Sequence, residues 1–264
     1  MSDQLVTERT LYGFWLSPYM SQVAHILSEA DLTYRYERVS PYQGSTHTPE
    51  HKARNPLAKI PTLRDSNGID IGESQAICRY LARMYPEARK FYPTDDPVLC
   101  AQVDAKNDFI TFSIGGPFFN WFVFSAYFPK AWRLKVEREA HIYSLCSVCL
   151  IKSALARLGK GSRMEPFLLG KEPFLPDFQL FHTLELSQTF SELFDMPMMN
   201  LVRGDAALQK FYDAMCERPS TREILAAKVC ELDVTKKELF EEFGEAYLKI
   251  FDKRALEKII GHEV

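Results

Sequence analysis

The chain has 264 residues, enough for one large domain or two modest ones. Its hydrophobic and charged fractions, 46% and 25%, are ordinary for a soluble globular protein, and the formal net charge is −3. This balance provides no basic field for nucleic acid or an anionic membrane surface, so neither partner is expected. The N-terminus lacks the pattern of a signal peptide, and six irregularly spaced cysteines favour free, mostly buried thiols in a reducing compartment. We therefore expect a cytoplasmic protein.

The first third of the chain alternates between strand and helix patterns. Residues 9–16 are predicted to form a short buried strand, and apolar residues spaced three and four apart from Pro18 onward predict a helix that ends near Asp31. Alternation over 33–40 predicts a second strand, and a turn-rich loop then leads into a short helix at 49–54. This order is that of a strand–helix–strand unit.

A hairpin and a helix are predicted next. The stretches "KIPTLRD" and "IDIGES" are predicted strands, and Asn67-Gly68 between them is a strong hairpin signal. A helix follows from Ser74 to about Met84. Together these elements predict a compact α/β domain over residues 1–88.

The rest of the chain lacks the alternation of strand and helix patterns seen in the first third. Residues 89–97, "RKFYPTDDP", predict a linker, since two prolines and four charges fall within nine residues. Strand signals nearly vanish beyond it, so residues 98–264 are predicted to form an all-helical domain. Its helices are predicted at 97–112, 118–128, 131–158, 176–194, 205–217 and 235–250. An extension at about 231–264 holds an amphipathic helix that could cover a pocket, a domain interface or a partner site.

One stretch of the helical domain approaches the length of a membrane span. Residues 109–128 carry no charge. However, Gly115-Gly116-Pro117 and several polar residues interrupt the apolar ones. We therefore expect a buried helix, a break and a second aromatic-rich segment, and membrane insertion is not favoured.

Ser17 stands between an apolar aromatic run and Pro18, in "FWLSPYM". Serine directly before proline is typical of a helix N-cap followed by proline at the first helical position. The exposed amides and positive end of a helix also stabilise an anion such as a thiolate. The two roles are compatible, so Ser17 is a candidate both for capping and for contact with a ligand.

Two further segments combine structural and functional possibilities. Pro61 falls where a strand should begin, either as an ordinary trans proline or after a cis bond that exposes the main chain of Ile60 to an extended peptide ligand. Glu73 and Ser74 open the next helix and are good cap residues. They also suit the α-ammonium and α-carboxylate of an amino acid.

The order and spacing of these segments resemble the soluble glutathione transferase superfamily. "LYGFWLSPYMSQVAHIL", "NPLAKIPTL", "IGESQAICRYL" and "FYPTDDP" are similar to its thioredoxin-like N-terminal domain and linker. "FLLGKEPFLPDFQLFHTL", residues 167–184, resembles a segment of its helical domain. The "FW-SPY" stretch is most similar to serine-type classes, closest in motif to the tau-like and omega-like groups. The resemblance implies a thioredoxin-like domain (βαβ-α-ββα) followed by an all-α domain.

The resemblance also implies roles for individual residues. Ser17 would donate a hydrogen bond to the glutathione sulfur and stabilise its thiolate, which attacks a small hydrophobic electrophile in a detoxification reaction. Ile60 would pair with the cysteinyl backbone ahead of a cis Pro61. The remaining glutathione contacts would come from Lys59, Glu73 and Ser74. Candidates for the electrophile pocket, each also explained by core packing, are Trp15, Leu16, Tyr19, Phe109 and Phe112.

Further consequences concern cofactors and assembly. Glutathione would be a co-substrate, no other cofactor is implied, and family members usually pair as homodimers. No metal site is predicted, because His141 lacks a full set of neighbouring ligands. Cys146 and Cys149 have redox spacing, but they lie within a helical pattern that favours core packing.

The sequence departs from the family pattern in three places. Gln22 stands where related classes often have a basic residue, which predicts weaker support of the thiolate. Asp177 lacks the serine or threonine three residues earlier, where Phe174 stands, so the usual capping box is incomplete. The extension at 231–264 goes beyond the usual end of the family.

Other functions of the same fold stay open at this point. A glutathione-dependent peroxidase or isomerase would use the same site, whereas thiol transfer would favour a cysteine at position 17. A non-catalytic scaffold, as in the gamma subunit of translation elongation factor 1, would keep the fold for assembly. Reversible membrane insertion, as in chloride intracellular channel relatives, fits poorly with the position of residues 109–128.

Overall fold

The computed structural model describes residues 8–41, 44–118, 150–158, 165–193, 197 and 200–243. Contacts divide these residues into two compact units. The first combines the described residues up to Pro97 with those from Arg218 onward, and the second contains those from Val98 to Glu217.

The first unit is built on a mixed four-stranded sheet. Its strands are β1 (Thr10–Gly13), β2 (Arg35–Arg38), β3 (Thr62–Arg64) and β4 (Asp70–Gly72). Their order is β2-β1-β3-β4, with β2 parallel to β1 and β3 antiparallel to both of its neighbours. This is the predicted strand–helix–strand unit followed by a hairpin, so the thioredoxin-like α/β fold of this unit is confirmed.

Three helices follow the order that the sequence predicts. They are α1 (Pro18–Glu29), α2 (Pro49–Arg54) and α3 (Ser74–Met84). The apolar stripe of α1 is fully buried, with Met20, Val23 and Ile26 inaccessible to solvent. Prolines at the first position fix where α1 and α2 begin, and Thr48 caps α2 by accepting from the main-chain N–H of His51.

A buried carboxylate ties the hairpin to the rest of the sheet. Asp65 is inaccessible to solvent and accepts hydrogen bonds from Arg9 Nε at 2.9 Å, Tyr80 at 2.7 Å and Tyr85 at 2.6 Å. Burial alone would raise the pKa of Asp65, but hydrogen bonds from both tyrosines and from the Ser66 main chain, with the charge of Arg9, lower it. The carboxylate therefore stays ionised.

The last described helix, α9 (Pro219–Phe243), belongs to the first unit. The predicted helix at 235–250 is wrong in its start, because the helix begins at Pro219. At its N-terminal end, Ser220 contacts the buried His25 Nε2 at 3.0 Å, and Arg218 pairs with Glu29 on α1. The predicted helical domain at 98–264 thus includes a helix, α9, that belongs to the sheet-containing unit.

The second unit is helical throughout its described part. Its helices are α4 (Pro97–Ile110), α5 (Gly116–Phe118), α6 (150–158), α7 (Leu175–Leu193) and α8 (Ala206–Cys216). The predicted helix at 118–128 and most of the one at 131–158 lie outside the described residues. The described helices of this unit confirm the predicted all-α class.

The predicted break at Gly115-Gly116-Pro117 is wrong. A π-helical turn, Thr111–Gly115, joins α4 to α5 without interrupting the helix. The main-chain N–H of Gly116 donates to the Thr111 carbonyl, five residues back. A Cβ on Gly116 would lie 2.7 Å from that oxygen, so glycine is needed for this wide turn. Within the described ranges, every helix is too short or too polar to cross a bilayer.

Asp177, the third residue of α7, caps this helix despite the incomplete capping box. Its buried carboxylate accepts from the main-chain N–H groups of Phe174 and Leu168, both at 2.8 Å. The first bond is the half of a capping box that an acidic residue at the third helical position supplies. Asp177 therefore caps the helix and also holds the preceding loop.

Candidate functional site

Sheet register brings the three predicted glutathione-binding segments to one end of the sheet. Tyr12, Thr62 and Gly72 stand side by side across β1, β3 and β4. β1 then runs toward Ser17, β3 is entered from Pro61, and β4 leads directly into α3. A Cβ on Gly72 would meet the Asn55 amide at 2.9 Å, so the loop before β3 packs tightly on this end.

Ser17 is the N-cap of α1, as predicted. Its Oγ accepts from the main-chain N–H of Met20 at 3.4 Å, and Pro18 follows at the first helical position. The main-chain N–H of Ser17 donates to the Phe14 carbonyl at 2.9 Å, which forms a tight turn between β1 and α1. The side chain is half-buried. Because the Ser17 oxygen is the acceptor in the capping bond, its hydroxyl proton stays available to an acceptor.

The Ile60–Pro61 bond is cis, as one of the two sequence interpretations predicted. Ile60 lies outside the β-ladder, which begins at Thr62. The preceding carbonyl, that of Lys59, is held by His51 Nε2 at 2.9 Å and by Asn55 Nδ2 at 3.0 Å. The loop is therefore fixed on its inner side, and the Lys59 side chain is exposed.

Glu73 has an unusual backbone conformation at the start of α3. Its φ of 62° and ψ of 111° lie in a region that side chains other than glycine rarely adopt. Its carbonyl accepts from the main-chain N–H of Ile77, and its side chain is exposed and makes no capping bond. Ser74 beside it is buried. Strained backbone of this kind concentrates at ligand-binding positions.

Contacts between α1 and α3 fix the distance between the two helix N-termini. Burial, followed by the negative charge of Glu73, raises the pKa of Tyr19. One turn further, Gln75 Nε2 donates to Gln22 Oε1 at 3.3 Å, and Gln22 is buried. Gln22, which stands where related classes often have a basic residue, thus joins α1 to α3.

The predicted electrophile-pocket residues have different environments. Trp15 and Leu16 are buried, and the Trp15 ring packs on Tyr36 with centroids 5.1 Å apart. In the second unit, Phe109 is half-buried and Phe112 is 75% exposed. Their role in binding an electrophile stays a prediction, as does that of Tyr19.

Cysteine chemistry at this end of the unit is disfavoured. Cys78 on α3 is fully buried, and burial raises the pKa of its thiol to about 12, so it is not a thiolate at neutral pH. Among the other described cysteines, Cys100 and Cys216 are half-buried and Cys230 is exposed. Cys146, Cys149 and His141 lie outside the described residues. The described part of the chain holds no cluster of three metal-ligating side chains.

Sequence reasoning missed a contact from α9 to the turn before Ser17. The Glu231 carboxylate accepts from the main-chain N–H of Trp15 at 2.7 Å. The two residues lie 216 positions apart, so no local pattern could reveal the pair. An isolated glutamate in a charged helix is ordinarily read as solvent-exposed, whereas Glu231 is buried.

The N-terminal part of the chain is similar in sequence to known proteins. The family described as "Glutathione S-transferase, N-terminal domain" matches residues 7–83. The N-terminal part of the chain is therefore similar to the N-terminal domain of glutathione transferases. Similar members include glutathione S-transferase 4 of Zea mays, 37% identical over 75 residues, and glutathione S-transferase 1 of Schizosaccharomyces pombe, 40% identical over 91. These matches cover 28% and 33% of the chain and span only 33% and 40% of those relatives.

Solved structures of superfamily members share the fold across most of the chain. Poplar glutathione transferase F1 matches 84% of this chain and 98% of its own, with a TM-score of 0.68 and 22% identity. A theta class glutathione S-transferase from Xanthomonas axonopodis pv. citri, solved with glutathione bound, matches 82% of this chain and 96% of its own, with a TM-score of 0.65 and 26% identity. The superfamily fold therefore extends beyond the matched N-terminal domain.

Proposed function

We propose that this protein is a glutathione transferase of the serine type. The observation that carries the proposal is the convergence of Ser17, the Ile60–Pro61 loop and the Glu73–Ser74 helix start at one end of the sheet. Each segment offers a different chemical group: a hydroxyl at a helix N-terminus, the main chain of Ile60 outside the β-ladder, and a carboxylate beside a buried hydroxyl. Glutathione has complementary groups in its thiol, its cysteinyl main chain and its γ-glutamyl end.

Ser17 would stabilise the thiolate of bound glutathione. Its hydroxyl donates a hydrogen bond to sulfur, and the N-terminal amides of α1 add a positive potential. Lowering a thiol pKa by two units requires about 2.7 kcal/mol of preferential stabilisation of the anion. A charge-assisted hydrogen bond together with a helix N-terminus supplies an effect of this size. No cysteine is needed at position 17 for this role.

The peptide parts of glutathione would be held by main-chain and polar groups. The main chain of Ile60 would pair with the cysteinyl residue as a short added strand. Glu73 would accept from the γ-glutamyl ammonium, while Ser74 and the first amides of α3 would bind its carboxylate. The exposed Lys59 would attract the glycyl carboxylate. These contacts fix the sulfur beside Ser17.

The reaction would be conjugation to a small hydrophobic electrophile. The thiol proton leaves to solvent as the thiolate forms, the sulfur then forms a bond to carbon, and the leaving group departs with the electron pair of the broken bond. Apolar residues near Ser17, such as Leu16, are proposed to contact the electrophile. We also propose that the protein is cytoplasmic and that it forms a homodimer. Sedimentation of the purified protein would test the homodimer.

The function is tested by retention on immobilised glutathione and by conjugation of a chlorinated aromatic. Wild-type protein is expected to be retained and to turn over the substrate. The Ser17→Ala variant is expected to be retained but to show a bound-thiol pKa about one to two units higher, with turnover at neutral pH lower by about tenfold or more. Thermal unfolding of both proteins controls for loss of the cap, which costs about 1 kcal/mol.

Two results would contradict the proposal in different ways. Absence of retention for the folded wild type would exclude glutathione as the ligand. Retention with equal turnover in Ser17→Ala would keep the ligand but remove Ser17 from the chemistry. Glu73→Gln provides a second test, because loss of its negative charge is expected to weaken glutathione binding without changing the thiol pKa.

A further inference from the structure

Glu231 is a buried carboxylate on α9 whose two oxygens have separate partners. Only 6% of the residue is exposed. Oε2 accepts from the main-chain N–H of Trp15 at 2.7 Å, and Oε1 accepts from the Tyr36 hydroxyl at 2.7 Å. Burying a carboxylate is costly unless such donors satisfy it, so the position of Glu231 is tightly defined.

The charge of Glu231 is balanced by Arg38 on β2. Arg38 Nε lies 2.5 Å from Glu231 Oε1, and its Nη2 donates to Glu238 Oε2 at 2.7 Å. Glu238 also accepts from Ser40 at 2.8 Å. Arg38 therefore pairs with two carboxylates that lie about two turns apart on α9. Glu231 Oε2 is left for the Trp15 main chain.

The Trp15 main chain is part of the turn that carries Ser17. Its N–H donates to Glu231, and its carbonyl accepts from Ser21 Oγ at 2.9 Å. The Ser17 N–H closes the same turn on the Phe14 carbonyl. Of these bonds, the one to Glu231 joins the turn to a different part of the chain. The α9 helix thus fixes the turn from outside the glutathione-contacting surface.

We propose that Glu231 is a positioning residue for the thiolate site, and that it acts by holding the Trp15 N–H so that the Ser17 hydroxyl faces the sulfur. The proposal rests on the proposed function of Ser17. It assigns a catalytic consequence to α9, a helix whose sequence suggests only a charged extension. Glu231 itself contacts neither glutathione nor the electrophile in this arrangement.

The two possible roles of Glu231, positioning Ser17 and acting through its negative charge, predict opposite changes in the pKa of the bound thiol when Glu231 is replaced. A carboxylate near a thiolate disfavours the anion, so removing its charge would lower the pKa of the bound thiol. Losing the correct orientation of Ser17 would instead raise that pKa. The direction of the change therefore separates the two roles.

The Glu231→Gln variant breaks the Trp15 bond with little change in volume. The amide oxygen is expected to face Arg38 and Tyr36, the two stronger donors on the Oε1 side, so the amide NH₂ meets the Trp15 N–H. Two donors then oppose each other, and the turn must shift. We expect the bound-thiol pKa, measured by the ultraviolet absorbance of the thiolate, to rise by about one unit. We expect kcat at neutral pH to fall about tenfold, with little change in the KM for glutathione.

Glu238→Gln is the matched control. It removes the same charge from the same helix and from the same partner, Arg38, but Glu238 makes no bond to the Trp15 main chain among the described contacts. We expect this variant to keep the wild-type thiol pKa and kcat. Thermal unfolding of both variants measures their loss of stability separately from the chemistry.

The outcomes are decisive in each case. A Glu231→Gln protein that is less stable but has the wild-type thiol pKa overturns the proposal, since its role would be structural alone; a lowered pKa also overturns it. If that variant does not fold, Glu231→Asp, which keeps the charge but cannot reach Trp15, must raise the thiol pKa or the proposal fails. If the wild type does not bind glutathione, or Ser17→Ala leaves the thiol pKa unchanged, the proposed function itself is wrong and the inference falls with it.

Discussion

Replacing His25 by glutamine is expected to protect the protein in mild acid. His25 is inaccessible to solvent, and its Nε2 lies 3.0 Å from Ser220 Oγ and 3.2 Å from Thr221 Oγ1. Ser220 donates its hydroxyl proton to Glu29, so it accepts from His25 Nε2–H. Burial lowers the pKa of His25 to about 3; Glu29 opposes this shift, while Arg218 and Lys228 reinforce it.

The size of the effect follows from the difference between the folded and unfolded pKa values. In the unfolded chain His25 titrates near its ordinary pKa of 6.5, whereas in the folded protein it stays neutral down to about 3. The unfolded state therefore binds one more proton between these values, and stability falls as the pH drops from 6.5 toward 3. At pH 5 the loss is about 2 kcal/mol relative to neutral pH, because each unit of pH contributes about 1.4 kcal/mol.

The assay is thermal unfolding between pH 7.5 and pH 5. A loss of about 2 kcal/mol corresponds to a fall in Tm of about 4 to 8 °C for a chain of this size. His25→Gln keeps a donor to Ser220 and does not titrate, so we expect it to lose that much less on acidification. His47→Gln, at an exposed position, is the control and should fall as far as the wild type. If His25→Gln and the wild type lose equal stability over this range, the buried neutral histidine is not the cause.

Three further substitutions test the structure elsewhere. Asp65→Asn should lower the free energy of unfolding by about 3 to 5 kcal/mol in urea titrations, because it leaves the buried Arg9 without its counter-charge; a loss below about 1 kcal/mol would contradict this. Glu73→Gly should be more stable than Glu73→Ala by about 1 kcal/mol, since only glycine relieves the positive φ, while both weaken glutathione binding; equal stabilities would argue against backbone strain. Asp177→Ala should lower the free energy of unfolding by about 2 kcal/mol, because the main-chain N–H groups of Leu168 and Phe174 lose their acceptor. Amide hydrogen exchange at Leu168 should become faster, and unchanged exchange there would refute the assigned bond.

Elements with local signals were predictable from the sequence. Ser17 and Thr48 each precede a proline, and this pairing marks the start of a helix without reference to the rest of the chain. Asn67-Gly68 similarly marked the hairpin, and the structure has β3 and β4 on either side of it. For the same reason the segments proposed to bind glutathione could be predicted in order, because each lies at the start of an element.

Features that depend on distant partners were not predictable. The start of α9 was missed because the buried Lys228, Glu231 and Thr235 stand among its buried apolar residues and weaken the helical pattern. Glu231 and Thr235 make their contacts with residues near the beginning of the chain, such as Arg38. The backbone conformation of Glu73 is equally invisible, since a positive φ at glutamate is imposed by the surrounding structure.

The membership of α9 in the first unit has a consequence for synthesis on the ribosome. The strands and helices up to Pro97 leave the ribosome first, but Arg38, His25 and the Trp15 N–H must wait for partners made more than a hundred residues later. Until α9 emerges, α1 and Arg38 lack the partners that this helix supplies. The unit whose translation begins first is therefore completed late, and this delay leaves it open to aggregation while the rest of the chain is made.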